Sequence, residues 1–563
     1  MLDDAVLLAV KSSIVALEVT VARDFWDATA SIHRGLGFVV DWKRGILLTT
    51  RTLATTGPAH ARITFVGTAT MEETVAEIAY VDPLHDFAIL HFEQVGLRMH
   101  EVAIQLEQRR CCAGDNIWVV GSSSLEQPQV LPAVVASVDV ACDDNSWDEN
   151  TFYLRAGVAF IGGWVGAPVV SSQGGAVAIN TRPGTYNCPA IFLPLRRAMY
   201  CLEALTTTPP KLPHRGTLGA AFRPVTFPEC RREGLPEHLI MEMLGSSQTQ
   251  AKRPSRTRDE GPTPRGMLKV TACMSLGDDA QLLCIGDILL RINKQEMTDP
   301  ADVESELDSN VGRHVEIVVW RGNHQVKKAV RVIDLHTCVP RAFCEVGFGI
   351  FHNVPYAIAQ RYNIRRLGVY VARAGHIFNL MPRGSIIRAV DGEPCPSVEK
   401  LEHAFLKLRA GWRFSLKWYE FNDALNKYVP RQRFFKFWGT WLPWKAWTLS
   451  TPEWQWRGRS IASTHPKTAQ PRFEERDQEQ MVFPELDNSA LIFPETEALA
   501  GRSHEINALG LPKAKRAKSS SWSVPPALDR CLCTVHVRVV SEFSMVSDCP
   551  RSSGCDGQGS VRV

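Results

Sequence analysis

The first 205 residues contain a series of short apolar segments rich in valine and isoleucine, each bounded by turn residues. Examples are residues 13–21, 37–40, 45–50 and 87–92. Parallel βαβ units would need helical stretches of ten to fifteen residues between such strands, and none occurs here. The spacing therefore predicts an all-β sandwich or barrel that ends in one helix at about residues 195–205.

Length and charge narrow the class of protein. A chain of 563 residues exceeds what one hydrophobic core serves, so we expect roughly three to five domains. The net charge of +3 provides no field that would favour a polyanion, and a nucleic-acid partner is not expected. No cofactor or metal ion is expected either.

The N-terminus and the cysteines bear on the compartment. The first residues read MLDDAVLLAVKSS, with aspartates where a signal peptide has basic residues and an apolar run too short to cross a bilayer. Fifteen cysteines without CxxC spacing indicate reduced thiols. We therefore expect an intracellular protein without a membrane span.

The second half of the chain contains a duplication. The sequence GDILLRINKQEMTDPADVESEL, from Gly286, aligns with GSIIRAVDGEPCPSVEKLEHAF, from Gly384. Each copy has a strand, a two-residue turn and a helix that opens with Asp or Ser, an order typical of PDZ modules. Residues 206–264 and 451–525 are polar and rich in proline, which predicts linkers.

Three motifs in the first 205 residues resemble those of the HtrA serine proteases, most closely the nuclear branch of fungi and plants. They are ILLTTRTLATTGP at 46–58, DPLHDFAIL at 82–90 and GGWVGAPVV at 162–170. The resemblance covers about residues 8–450 and implies a mainly β protein, in which a trypsin-like double β-barrel precedes two PDZ-like modules with short helices. The predicted domains are a trypsin-like (pseudo)protease domain at 1–205, a linker at 206–264, PDZ-like domains at 265–336 and 337–450, a disordered linker at 451–525, and a truncated second protease-like unit or disordered tail at 526–563.

The same resemblance assigns the catalytic positions. Serine proteolysis needs a serine nucleophile, a histidine base, an orienting carboxylate and oxyanion donors. Here Thr52 occupies the histidine position, Asp86 retains the acid, and Val165 replaces the serine. The amides of Gly163 and Val165 would form the oxyanion turn. Loss of base and nucleophile costs about 10⁶ in turnover, so the motifs predict an inactive member.

Two alternatives stay open for the barrels. A relocated triad would draw on the residues His60, His85, Ser171 and Ser172, whereas the simpler interpretation makes them loop, strand-end or turn residues and lets Asp86 accept hydrogen bonds from Thr52 or the backbone. The strand at 176–182 could hold an extended peptide by β-augmentation, or it could be an ordinary barrel strand.

Peptide-binding loops are predicted in both PDZ-like modules, because PDZ grooves hold a terminal carboxylate on consecutive backbone amides. The predicted loop residues are Gly266, Met267 and Leu268 in the first module and Gly347, Phe348, Gly349 and Ile350 in the second. The expected partners are proteins or peptides with C-terminal or extended segments.

Three functions follow from these motifs. The first is a non-catalytic adaptor or chaperone-like factor in protein quality control. The second is an active ATP-independent serine endopeptidase, and the third is a regulatory subunit that joins an active related protease through barrel or PDZ contacts. HtrA proteases generally oligomerise, so the resemblance also implies a homo-oligomer or a hetero-oligomer with related proteases.

Two further tracts carry predictions. The aromatic and basic tract at 431–447 is expected to pack as a strand that closes the second PDZ-like unit, with single-stranded nucleic acid or a membrane surface as alternatives. The sequence PKAKRAK at 512–518 is either a nuclear-import signal or solvated charge, so the expected location is the nucleus, the cytoplasm or both.

Overall fold

The computed structural model describes most of the chain up to residue 457. The described residues are 3–68, 71–99, 101–123, 127–141, 150–157, 164–182, 189–250, 266–274, 283–378, 380–408, 411–436, 445–450 and 453–457. The predictions for 512–518 and 526–563 lie outside them. Within the described part, no helix is long and apolar enough to cross a membrane.

The first barrel is a closed sheet of six strands in the order β1-β2-β3-β6-β5-β4. Its strands are β1 Ile14–Val21, β2 Ile32–Asp41, β3 Ile46–Thr49, β4 Ala59–Phe65, β5 Glu73–Val81 and β6 Ala88–Phe92. The helix α1, Asp4–Ser12, precedes it, and the one-turn helix α2, Arg51–Ala54, follows β3. The inward-facing residues of these strands, which are aliphatic or phenylalanine, fill the interior of this barrel.

The second barrel is also closed, in the order β10-β11-β12-β9-β8-β7. Its strands are β7 Asn116–Gly121, β8 Gln129–Ala141, β9 Phe152–Gly157, β10 Pro168–Val170, β11 Ala176–Arg182 and β12 Ala190–Pro194. Helix α3, Arg196–Leu205, ends the double barrel where the sequence predicts a helix. The predicted mainly β, trypsin-like double barrel is confirmed.

The first PDZ-like module follows. Its elements are β13 Gly216–Thr217, β14 Ala220–Thr226, α4 Phe227–Arg232, α5 Glu237–Gln250, β15 Gly266–Cys273, β16 Ile288–Ile292, β17 Gln295–Glu296, α6 Pro300–Ser309, β18 His314–Arg321, β19 His324–Arg331 and β20 Ile333–Asp334. Its main sheet has the order β14-β15-β16-β18-β19, and β13 pairs separately with β20.

The second PDZ-like module repeats that order. Its elements are β21 Ala342–Val346, β22 Gly349–Asn353, α7 Tyr356–Arg361, β23 Val369–Arg373, β24 Ile386–Val390, β25 Glu393–Pro394, α8 Val398–Leu406, β26 Arg413–Asn422, β27 Lys427–Lys436, β28 Lys445–Ser450 and β29 Glu453–Arg457. The run β22-β23-β24-β26-β27 matches β14-β15-β16-β18-β19 strand for strand, with β21, β28 and β29 added beyond β22. The duplication seen in the sequence is thus a duplication of topology.

The predicted linker at 206–264 is corrected over its middle part, where β13, β14, α4 and α5 form. The apolar side chains of Phe222, Val225 and Phe227 are buried in the cores of the first module, so this stretch contributes to the core. A capping box between Thr226 and Glu229 starts α4. The polar ends of the stretch concealed this apolar centre, and residues 251–265 lie outside the described residues.

The aromatic and basic tract at 431–447 contributes to β27 and β28. Phe435 packs against the core of the second module, and Phe434 is exposed. Residues 437–444, which carry three of the tryptophans, lie outside the described residues. For the described part, packing as a strand is the observed arrangement.

Candidate functional site

Asp86 lies in the tight loop between β5 and β6 and is buried. The loop is held by Asp82, whose Oδ1 accepts hydrogen bonds from the amides of Leu84 at 2.9 Å and His85 at 2.6 Å. Arg51 is also buried here and donates from Nη1 to the carbonyl oxygen of Leu84 at 2.8 Å. These contacts fix the direction of the Asp86 carboxylate.

Thr52 occupies the first turn of α2, immediately after β3, and contacts Asp86 directly. Its backbone amide and its Oγ1 both donate to Asp86 Oδ1, at 2.8 Å and 2.9 Å. The prediction that Asp86 accepts hydrogen bonds from Thr52 and from the backbone is therefore confirmed. The carboxylate oxygen that faces α2 is paired with a hydroxyl and an amide.

Val165 lies on the turn that precedes β10 of the second barrel and faces the first barrel. The amide of Ala167 donates to the carbonyl oxygen of Trp164 at 3.1 Å, and Gly166 has φ of +88°, as a turn of this shape requires. The amide of Leu36 on β2 donates to the Val165 carbonyl oxygen at 2.7 Å, which ties the turn to the first barrel. The Val165 side chain packs against the core of that barrel.

The α2 helix and the Val165 turn meet at Gly35. A methyl group added at Gly35 would collide with Leu53 and come within 2.9 Å of the Val165 carbonyl oxygen. Only a glycine fits there, so α2 and the turn approach β2 closely from two sides. The structure thus brings Thr52, Asp86 and Val165 to one junction between the barrels, while Gly163 lies outside the described residues.

The side chains considered for a relocated triad are engaged elsewhere. The buried ring of His85 has Nδ1 2.8 Å from Thr151 Oγ1 and Nε2 3.0 Å from Glu304 Oε1. Ser171 Oγ donates to Glu107 Oε1 at 2.6 Å. His60 and Ser172 are exposed, on β4 and on the turn after β10. None of these contacts is a serine–histidine pair.

A buried charge cluster beside this site was missed by sequence reasoning. Arg215 Nη2 lies 2.8 Å from Asp82 Oδ2, and Arg197 lies 2.9 Å from Asp308 and 2.6 Å from Glu304. The cluster links the Asp82–Asp86 loop of the first barrel to α6 of the first module. The available signal was the spacing of Glu304 and Asp308, four residues apart and hence on one face of a helix.

The charges of this cluster perturb one another. Burial alone would raise the pKa of Glu304, but His85 and Arg197 lower it to about 2. Burial likewise opposes ionisation of Asp82, and Arg215 with His85 outweighs burial and lowers its pKa. For Asp308, burial prevails and raises the pKa. The cluster thus holds ionised carboxylates on both sides of the contact between barrel and module.

The predicted peptide loop of the first module is wrong. Gly266, Met267 and Leu268 begin strand β15 and pair with residues 224–226 of β14. Topology instead places the equivalent of residues 347–350 at 218–221, with Leu218 and Gly219 before β14 and Ala220 and Ala221 at its start. Helices α4 and α5 and the insertion after them separate β14 from β15. The sequence alignment with the second module extended back from the central strand only as far as β15. It therefore assigned the loop to the start of β15 and not to the start of β14.

The loop of the second module is also not a free loop. Gly347 and Phe348, with φ of +54° and +64°, form the two-residue turn of the β21–β22 hairpin. Gly349 and Ile350 begin β22, which pairs with β21 on one side and β23 on the other. Strand addition to β22 is therefore blocked by the chain itself.

Of the two alternatives for residues 176–182, an ordinary barrel strand is observed over the first part. Strand β11 lies between β10 and β12 in the closed barrel; β10 pairs with its residues 176–179 and β12 with its residues 178–182. The pairing with β10 ends at Ile179, so peptide binding beside residues 181–182 stays a prediction.

Two regions of the chain match models of known protein families. Residues 35–179 match the family model of the trypsin-like peptidase domain, and residues 337–410 match that of the PDZ-like domain. The chain therefore combines a trypsin-like peptidase domain with PDZ-like structure.

Over most of its described length the chain is also similar to curated proteases. It is 32% identical over 430 residues to Protease Do-like 7 of Arabidopsis thaliana, covering 74% of this chain and 38% of that protein. It is 29% identical over 431 residues to the pro-apoptotic serine protease NMA111 of Vanderwaltozyma polyspora, covering 75% and 41%. A solved HtrA-type protease, AlgW with a tripeptide, is 18% identical with a TM-score of 0.42, covering 58% of this chain and 96% of that chain.

The chain is thus an HtrA-like, trypsin-like serine protease homologue with a PDZ domain, homologous to the Do-like 7 and NMA111 proteins. It spans about two fifths of the length of these curated relatives.

Proposed function

We propose that this chain is a proteolytically inactive member of the family whose function is to bind proteins or peptides. The observation that carries the proposal is the pair of hydrogen bonds from Thr52 to Asp86. In an active triad that carboxylate orients an imidazole and stabilises the imidazolium that forms. Here a hydroxyl occupies the position, and a threonine hydroxyl takes up no proton near neutral pH.

The nucleophile position supports the same proposal. The Val165 side chain is hydrocarbon and packs against the first barrel, so it offers no electron pair to a peptide carbonyl. Removal of nucleophile and base together costs about 10⁶ in turnover. His85 lies between the Thr151 hydroxyl and the Glu304 carboxylate, an arrangement like that of a triad, but His85 is 3% and Thr151 2% exposed, so burial keeps a peptide substrate away from this hydroxyl.

The retained scaffold suits a binding role, as adaptor or chaperone-like factor in protein quality control, in the nucleus or the cytoplasm. Its double barrel and PDZ-like modules resemble those of enzymes that handle polypeptides, and PDZ domains bind extended or C-terminal segments. Binding without cleavage would sequester a partner or present it to another protein.

The test is reaction with a fluorophosphonate probe and digestion of casein by the purified chain, with trypsin assayed in parallel. We expect neither labelling nor cleavage. The matched variant Thr52→His with Val165→Ser should gain labelling, because it returns the base to α2 beside Asp86 and the nucleophile to the turn that Leu36 holds. Labelling of the unmodified chain that a single serine-to-alanine change abolishes would overturn the proposal.

A further inference from the structure

Strands β26 and β27 form a hairpin at one end of the sheet of the second module. Phe414, Leu416 and Trp418 of β26 are buried in the core of that module, so the residues between them belong to the opposite face of the strand. Directly paired residues of two strands lie on the same face. We call this the outer face of the hairpin, and its pairs are Arg413 with Lys436, Ser415 with Phe434, and Lys417 with Gln432.

An aromatic ring lies at the centre of the outer face. Phe434 is 67% exposed, although the next residue, Phe435, packs against the core. Single exposed apolar side chains are common on protein surfaces, so exposure alone does not indicate a ligand. The neighbours of this ring are what distinguish it: Lys436 is two residues along the same strand, and Arg413 and Lys417 are diagonally opposite on β26.

The outer face is positively charged. Arg413 lies directly opposite Lys436, and like charges in such a pair destabilise a sheet. None of the six residues of the outer face carries a negative charge. Asp391 Oδ1 accepts a hydrogen bond from the amide of Ser415 at 3.3 Å and offsets part of the positive charge. Three cations therefore surround one flat apolar ring.

The first module shows that the fold does not require this arrangement. The matching face of β18 and β19 has the pairs His314 with Arg331, Glu316 with Ala329, and Val318 with Lys327. There the Oε2 of Glu316 lies 2.7 Å from Nζ of Lys327, and an alanine occupies the position of the exposed ring. The second module has serine in place of that carboxylate and phenylalanine in place of that alanine. The basic and aromatic face is thus a property of the second module and not of the shared topology.

The chemistry of this face matches single-stranded nucleic acid. The phosphates of such a strand pair with lysine and arginine, and its bases stack on aromatic side chains with little dependence on sequence. An acidic peptide would pair with the cations but would bring no base to stack on the ring. A membrane surface requires a wider apolar area, and Phe434 is the one apolar side chain among the six residues of the outer face.

We propose that the outer face of β26 and β27 binds single-stranded DNA or RNA, with Phe434 stacking on a base and Arg413 and Lys436 contacting phosphates. Lys417 provides a third cation beside the ring. The site belongs to the second module, and binding there does not depend on whether the barrels cleave peptides. The small net charge of +3 does not oppose it, because exposed charges act over a Debye length of roughly 8 Å at physiological salt.

The test is fluorescence anisotropy of a labelled oligothymidylate of about twelve nucleotides, titrated with the full chain at several salt concentrations. With three phosphate contacts, the logarithm of the binding constant should fall against the logarithm of the salt concentration with a slope of about −2. Arg413→Ala removes one contact and should reduce the steepness of that slope by about 0.7. Phe434→Ala should weaken binding roughly tenfold at every salt concentration and leave the slope unchanged, because stacking releases no counterions.

Two control variants match these changes elsewhere in the chain. Phe348→Ala removes a ring that is also 67% exposed but lies at the turn between β21 and β22. Arg331→Ala removes an exposed cation of the first module at the position that matches Lys436. Both controls should leave the affinity and the slope unchanged, and thermal melts verify that every variant is folded.

Two results would refute the inference. The first is the absence of oligonucleotide binding at about 50 mM salt, or an affinity that Phe434→Ala leaves unchanged. The second is stronger binding of the chain to a polyglutamate peptide or to phosphatidylserine vesicles than to the oligonucleotide, which would assign the outer face to an acidic protein or to a membrane.

Discussion

The two PDZ-like modules share one strand order but differ in what lies beyond their first strand. In the second module, β21 forms a hairpin with β22 and covers its edge with backbone pairing. In the first, β13 pairs with β20 instead, and on β14 the Asn150 side chain donates to the carbonyl oxygen of Ala220 and accepts from the amide of Phe222. The comparison teaches that the apolar pattern of the strands preserves a fold through duplication, whereas a few preceding residues decide whether the edge of the first strand is paired within the module.

The modules also contact the barrels by different means. Buried charge pairs join the first module to the barrels through α6, Arg197 and Arg215. The second module buries Phe25 and Trp26 in a shared core, and Arg383 donates to the carbonyl oxygens of residues 25, 26 and 28. The stability of a buried ion-pair interface depends strongly on each charged residue. In an apolar interface the stabilising free energy is distributed over many side chains.

The largest loss of stability is expected from Arg215→Ala, which removes a cation from the buried charge pairs between the first module and the barrels. Arg215 is 2% exposed and lies between Asp82 and Asp308, both buried. Its removal leaves two buried carboxylates without this cation, which should lower the free energy of unfolding by about 3–5 kcal/mol. Urea denaturation measures the loss, and hydrogen exchange should show faster exchange in α6 than in α8.

Two matched variants provide stability losses with which the loss in Arg215→Ala can be compared. Arg383→Ala in the second module removes hydrogen bonds to carbonyl oxygens and should cost about 1–2 kcal/mol. Arg34→Ala removes an exposed pair with Glu18 and should cost about 0–1 kcal/mol. Equal losses for Arg215→Ala and Arg383→Ala would erase the difference between the two interfaces.

A smaller, pH-dependent effect is expected from Glu304. Its pKa is lowered from 4.5 to about 2 in the folded chain, so its stabilising contribution is present above pH 4.5 and is lost as the pH falls towards 2. The expected loss is on the order of 2–3 kcal/mol, and the raised pKa of Asp308 offsets part of it. Urea denaturation at pH 5, 4 and 3 measures it.

The control lies at the matching position of the other module. Glu304→Gln should flatten the acid dependence, whereas Glu402→Gln, at the aligned position of α8, should leave it unchanged. Acid profiles that coincide for Glu304→Gln and the unmodified chain would show that this carboxylate does not carry the pH dependence.

The sequence predicts the features that local patterns encode and misses contacts between distant residues. Alternating apolar residues predict the barrel strands, and the motif order places Thr52, Asp86 and Val165 together, because both signals are local. The bond between Asn150 and Phe222 joins residues 72 positions apart, and no local pattern encodes it. The linker prediction failed for a related reason: Phe222 and Val225 find their core only through pairing with β15, beyond a long insertion.

The smallest change in stability is expected at the turn that joins β21 to β22. Phe348 is 67% exposed and has φ of +64°, a conformation that costs an L-residue about 1–2 kcal/mol. Phe348→Gly removes that strain, loses the ring contact with His376 and adds backbone entropy to the unfolded chain, for a net gain of about 0.5–1 kcal/mol. Phe348→Ala, which loses the ring and keeps the strain, is the matched control and should not be stabilised. Thermal melts and hydrogen exchange of β21 measure both. If Phe348→Gly instead loosens β21, the exposed ring is what holds the hairpin closed, and the edge of β22 is less firmly covered than its backbone pairing indicates.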